Sequence, residues 1–118
     1  MSQLPPRPIY QKTKPIRDEA YRRHVASQPC MACSYAVPND EGFISQAAHI
    51  SVGNYGRSMK ADDSLCIPLC PDRPNGERGC HSVFDQSQEY FCATYFRLTI
   101  PELKAKARAA YDEWKAAS

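Results

Sequence analysis

Large core-forming side chains are scarce. Leu, Ile, Val and Phe account for only 19 of 118 residues, about 16%, below the roughly 20% at which a chain struggles to bury a sufficient core. Strong charge of one sign is missing too: the formal net charge is +2, too small for the self-repulsion that keeps disordered chains open. No run approaches the ~18 consecutive apolar residues of a membrane span, and the first residues lack the apolar core of an export signal. The expectation is therefore a soluble, unexported, cytoplasmic protein with no membrane partner. Its length suits one domain. A thin core in a short chain calls for a staple, and six cysteines (Cys30, Cys33, Cys66, Cys70, Cys80 and Cys92) can supply it. Without an export signal, a metal is favoured over disulfides.

Residues 1–16 carry four prolines, and the basic residues Arg7, Lys12, Lys14 and Arg17 all precede the first acid, Asp18. This segment is expected to be a flexible basic arm, leaving 17–118 as the single folded domain. A helix is predicted from Arg17 to about Ser27, with Tyr21 and Val25 on one face and Pro29 forbidding continuation. Short strands are predicted over 45–52 and 64–69, the second confined to an edge or strand end by Pro68. A helix should run from His81 to about Phe91. The clearest element is the last helix, where Thr99-Ile-Pro-Glu102 fits a capping box and Leu103, Ala107, Ala110, Tyr111 and Trp114 share a face.

Zn²⁺ takes four tetrahedral ligands, and a C-x-x-C turn presents two sulfurs without long-range folding. Cys30 and Cys33 have that spacing. The second pair could be Cys66/Cys70 or Cys70/Cys80. We favour Cys70 and Cys80, because one ends a strand, the other begins a helix, and the turn-rich loop between them could close an enlarged knuckle. Cys66 and Cys92 then read as small core residues. Four thiolates on one Zn²⁺ carry a net −2, which offsets the formal +2, so any affinity for nucleic acid has to come from local patches. Of the three histidines, His24 reads as a surface or partly packed residue. His49 sits on a strand between the cysteine pairs, and His81 stands one helical turn before Asp85, so that imidazole and carboxylate project from one face.

The order Cys30-x-x-Cys33, Ala48-His49-Ile50, Lys60-Ala-Asp-Asp63, Ile67-Pro-Leu-Cys70, Cys80-His81-x-x-x-Asp85 resembles the HNH endonuclease superfamily in its ββα-metal, zinc-knuckle form. It resembles small phage and prophage nucleases, whose "QPC" turn is matched by Gln28-Pro29-Cys30. The resemblance covers about Arg17 to Asp85. It implies a small α+β, treble-clef-like core with a structural Zn²⁺ on Cys30, Cys33, Cys70 and Cys80. It further implies a general base at His49, and a catalytic Mg²⁺ or Mn²⁺ on His81 and Asp85. Asp63 would either join that metal or orient His49. Two features depart from the family pattern: Ala48 stands where Asp or His often adds a metal ligand, and nine residues rather than two separate Cys70 from Cys80.

The expected activity is hydrolysis of DNA phosphodiester bonds, with Arg57, Lys60, Arg73, Arg78 and the basic arm as phosphate contacts. A homodimer would suit two-strand cutting. The competing reading is a non-catalytic zinc-dependent adaptor for nucleic acid or protein.

Overall fold

Asp18 starts the first helix. Its carboxylate accepts the Tyr21 N–H at 3.0 Å, an N-cap that makes Glu19 the first helical residue, two positions after the expected start at Arg17. The computed structural model describes residues 15–51 and 62–118. Among these the chain forms α1 (Glu19–Ala26), β1 (Gln46–His49), a 3₁₀ turn (Asp63–Leu65), β2 (Cys66–Leu69), α2 (Cys80–Gln86), α3 (Gln88–Phe91), a π-helical turn (Cys92–Phe96) and α4 (Ile100–Ala117). This is a small α+β architecture. No described helix is long and apolar enough to cross a membrane.

β1 and β2 form an antiparallel pair with Ala48 opposite Ile67 and His49 opposite Cys66. Their hydrogen bonds need neighbours to hold the register, since two strands alone are marginal. The carbonyl of Ala26 at the end of α1 accepts from both Ile44 N and Ser45 N, which satisfies an orphan helix terminus and aims the chain into β1. On the outer side Met31 N donates to Pro68 O at 2.9 Å. Pro68 has no N–H to give, but its carbonyl binds the first cysteine turn to β2.

Two clusters share the burial. Ala48, Ile50, Ile67, Leu69, Phe84, Phe91, Cys92 and Leu103 form the larger one. Tyr21, Val25, Cys66 and Tyr111 form the other, with Trp114 and Ile16 packed against it. Cys66 and Cys92 are indeed buried core thiols. Ile16, assigned by sequence to the arm, belongs to the fold: it packs here, and its carbonyl accepts from Asp63 N at 2.8 Å. Residues 1–14 of the expected arm lie outside the described residues.

The predicted helix over 81–91 is broken. Ser87 adopts an extended conformation (φ −158°, ψ 91°) and separates α2 from α3. Serine is a poor helix interior residue and a good boundary, and the break turns Gln88 inward. Its amide accepts from Ser51 N at 2.9 Å and donates to His49 O at 3.0 Å, clasping the backbone just past the strand. At the other end of the domain the Thr99/Glu102 capping box forms as the sequence leads one to expect.

Candidate metal centre and histidine–aspartate pairs

The first cysteine turn is tight because Ser34 is left-handed (φ 66°), with Ser34 N on Cys30 O and Cys30 N on Tyr35 O. Cys33 N points at Cys30 Sγ, 3.5 Å away. The second turn is the enlarged one. Its tip reverses through Gly76 (φ 95°), and its neck closes where Gly79 N and Ser82 Oγ donate to the Asp72 carboxylate at 2.8 and 2.7 Å. A Cβ on Gly79 would stand 2.2 Å from Pro71 O and 2.5 Å from Cys70 O, so only glycine fits where the two ends of the loop meet. Cys80 N then points at Cys70 Sγ, 3.3 Å away.

These turns bring Cys30, Cys33, Cys70 and Cys80 together, with all four sulfurs within 4.8 Å of one another. Cys33 and Cys70 Sγ are 3.7 Å apart. In a tetrahedron with Zn–S bonds of about 2.3 Å the sulfurs stand about 3.8 Å apart, so the cluster fits one Zn²⁺ in spacing and in donor type. Burial raises the Cys70 thiol, but the Cys80 N–H, Arg73 and the neighbouring thiols outweigh it and bring Cys70 down to about 7. Cys33 and Cys80 are pushed up, chiefly by burial.

Arg73 completes this centre. Its Nη1 lies 3.4 Å from Cys70 Sγ and 3.3 Å from Pro71 O, and its guanidinium sits 4.0 Å from the Tyr35 ring centroid. The sequence reading placed Arg73 among phosphate contacts; the structure puts its charge against the Cys70 sulfur. Arg78 is exposed on the same loop. Arg57 and Lys60 lie outside the described residues.

The histidines form two separate pairs. His49 Nε2 lies 2.9 Å from Asp63 Oδ1. Asp63 is 1% exposed, and its other oxygen accepts from Asp18 N at 2.7 Å and faces Arg22 Nε at 3.1 Å. That ion pair is close but not aligned as a hydrogen bond, so Arg22 Nε has no hydrogen-bond acceptor. Burial opposes the charge on Asp63, yet the His49 and Asp18 hydrogen bonds and the Arg22 charge together hold its carboxyl below the usual range. The charged carboxylate takes the Nε2–H of His49, leaving Nδ1 as the basic nitrogen.

His81 Nδ1 meets Gln46 Oε1 at 2.7 Å, and His81 Nε2 faces Asp85 Oδ2 at 3.3 Å. An amide oxygen accepts, so Nδ1 carries the proton and the Nε2 lone pair is turned toward a carboxylate oxygen. This places an imidazole nitrogen and a carboxylate oxygen side by side, in position for both to face one cation. The arrangement matches the usual metal-ligating histidine, whose second nitrogen donates to an orienting group. Asp63 is not part of this set: among the described residues the four cysteines are the only gathering of three or more ligand-type side chains. Ala48 is fully buried in the core and offers no third ligand.

Comparison with known families, curated proteins and solved structures returns no match for this chain. Three contributors escaped sequence reasoning. Gln46, Gln88 and Arg22 act through contacts 35, 39 and 41 residues away in the chain, and nothing in local spacing marks them. Gln46 is the link between the pairs, since it bonds His81 and borders the same open cleft as His49.

Proposed function

We propose that this protein is a metal-dependent endonuclease of the HNH type, hydrolysing phosphodiester bonds of DNA on a zinc-stapled ββα scaffold. The observation that carries the reading is the buried, charged Asp63 holding His49 by Nε2 at the edge of an open cleft. A carboxylate that fixes one imidazole nitrogen leaves the other as a general base of defined direction. His49 Nδ1 takes the proton from the attacking water as its oxygen bonds phosphorus and the P–O ester bond breaks; the leaving oxygen is protonated from solvent. Asp63 keeps the resulting imidazolium in place.

His81 and Asp85 are the residues that would hold a Mg²⁺-type ion, which when bound stabilises charge on the phosphate and the leaving oxygen. Two protein ligands leave room for several waters, an arrangement Mg²⁺ accepts. The zinc cluster takes no part in chemistry. It anchors the chain just after β2 at Cys70 and starts α2 at Cys80, so it positions His81 directly and His49 through the pairing of β1 with β2.

The buried Ala48 gives the adaptor reading its one specific support, because the metal shell is short of a ligand. Nicking of supercoiled plasmid in Mg²⁺ or Mn²⁺, beside His49→Ala prepared identically, separates the two. Cleavage by wild type alone supports the nuclease; cleavage by neither favours the adaptor.

A further inference from the structure

We infer that the cleft between α1 and the start of β1 seats a backbone phosphate of the bound strand, with Arg22 and Arg23 as its cationic wall. The inference rests on the nuclease reading and extends it from the chemical step to the path of the substrate. Sequence reasoning looked for phosphate contacts in the loop after Cys70. Arg73 of that loop is already committed to the cysteine cluster. The described cationic side chains that share a cavity with His49 are instead Arg22 and Arg23, in a cleft of about 430 Å³ that Gln46 also borders.

Each arginine is suited to the role in a different way. Arg22 is 39% exposed at the cleft while its Nε faces Asp63 Oδ2 at 3.1 Å without an aligned hydrogen bond. It therefore ties the substrate surface to the carboxylate that orients the base. Arg23 is bound only to Glu19, at 2.9 Å in a pair open to solvent on both sides. Such pairs are held weakly, and a phosphate offers a guanidinium a stronger, bidentate partner. Amide donors at Asn39 and Gln46 line the same cleft. A second cavity, between α1, β2 and α4, is walled mainly by apolar side chains such as Tyr21, Val25, Met31, Ile67 and Ala107; it carries one lysine, Lys106, and does not include His49.

The test is binding of a fluorescently labelled duplex oligonucleotide by the zinc-loaded protein, without Mg²⁺, over a series of salt concentrations. Arg23→Glu is expected to weaken binding at least about fivefold, and Arg23→Glu and Arg22→Gln each to reduce the slope of log K against log salt by about one. Arg108→Glu, on α4 and outside the cleft, should change neither. Arg22→Gln also disturbs Asp63, so Arg23→Glu, at a solvent-exposed position, keeps the test independent of folding. Wild-type affinity and slope in both cleft variants, with nicking intact, overturn the cleft and leave the nuclease standing. Weakened variants of a wild type that binds but never nicks support the cleft and overturn hydrolysis. A wild type that does not bind DNA overturns both.

Discussion

Around the four cysteines every turn closes inward: backbone N–H groups aim at sulfur, Asp72 seals the loop neck, and Arg73 lies against Cys70 Sγ. Around His49 and His81 the supports come from behind and the front is left open. Asp63 and Gln46 each grip one nitrogen of a ring and leave the other directed elsewhere, and Asp85 is 57% exposed. A structural metal site needs all its ligands converging, whereas a working site needs free coordination positions and one aimed lone pair. The same hairpin and helix carry both arrangements, and under the proposed function the difference predicts which substitutions break folding and which break only activity.

The largest effect is expected at the cluster. Zinc coordination can contribute on the order of 10 kcal/mol to folding, so Cys30→Ser or Cys33→Ser should abolish the cooperative melt, and so should stripping the metal with a chelator. Soluble, cooperatively melting protein with no bound zinc would remove the structural-metal claim. Gly79→Ala comes next. It drives a Cβ into two backbone carbonyls and should cost at least about 2 kcal/mol in a denaturant titration, with reduced zinc content. An unperturbed midpoint would mean the loop neck is looser than drawn.

On the open side the ordering reverses. His49→Ala should lower nicking by about 10²–10⁴-fold, and Asp85→Ala should abolish it, while neither moves the melting temperature appreciably. Residual nicking by Asp85→Ala at saturating Mg²⁺ would take Asp85 out of the metal shell. Acid titration sharpens the contrast. The Asp63 carboxyl is held below its ordinary value, so the folded state binds fewer protons than the unfolded one, and stability rises with pH across that window. The contribution is complete above the normal aspartate range near pH 4 and is lost as pH falls through the lower folded value. Asp63→Asn should be less stable than wild type at neutral pH, and the gap should close in acid; a constant gap would refute the assignment. The smallest effect is Arg73→Gln, expected to speed zinc loss to a competing chelator roughly tenfold with nicking unchanged once zinc is replenished.

How far the sequence could be read follows the same division. The C-x-x-C spacing, the choice of Cys70 and Cys80, the Tyr21/Val25 face and the Thr99 capping box were legible, because each depends on residue type at short range or on a strong chemical preference for company. The His81/Asp85 pair was legible for the same reason, as neighbours one helical turn apart. The break at Ser87 was not, since the force behind it is a long-range amide contact from Gln88 to the chain beyond His49. Nor was the pairing of Arg73 with Tyr35 and Cys70. A charged residue in a polar loop looks solvated until the fold supplies a thiolate and a ring to cover.

Asp18 has a consequence for timing. Its backbone N–H holds Asp63, while its own carboxylate accepts from the Tyr111 hydroxyl at 3.2 Å and faces Lys115 Nζ at 3.6 Å. A path of polar contacts thus runs from the last helix through Asp18 and Asp63 to His49. During synthesis the cysteines and both histidines leave the ribosome before Tyr111 does. The four cysteines can thus gather before α4 has left the ribosome, whereas Asp18 gains its Tyr111 and Lys115 contacts only once α4 docks.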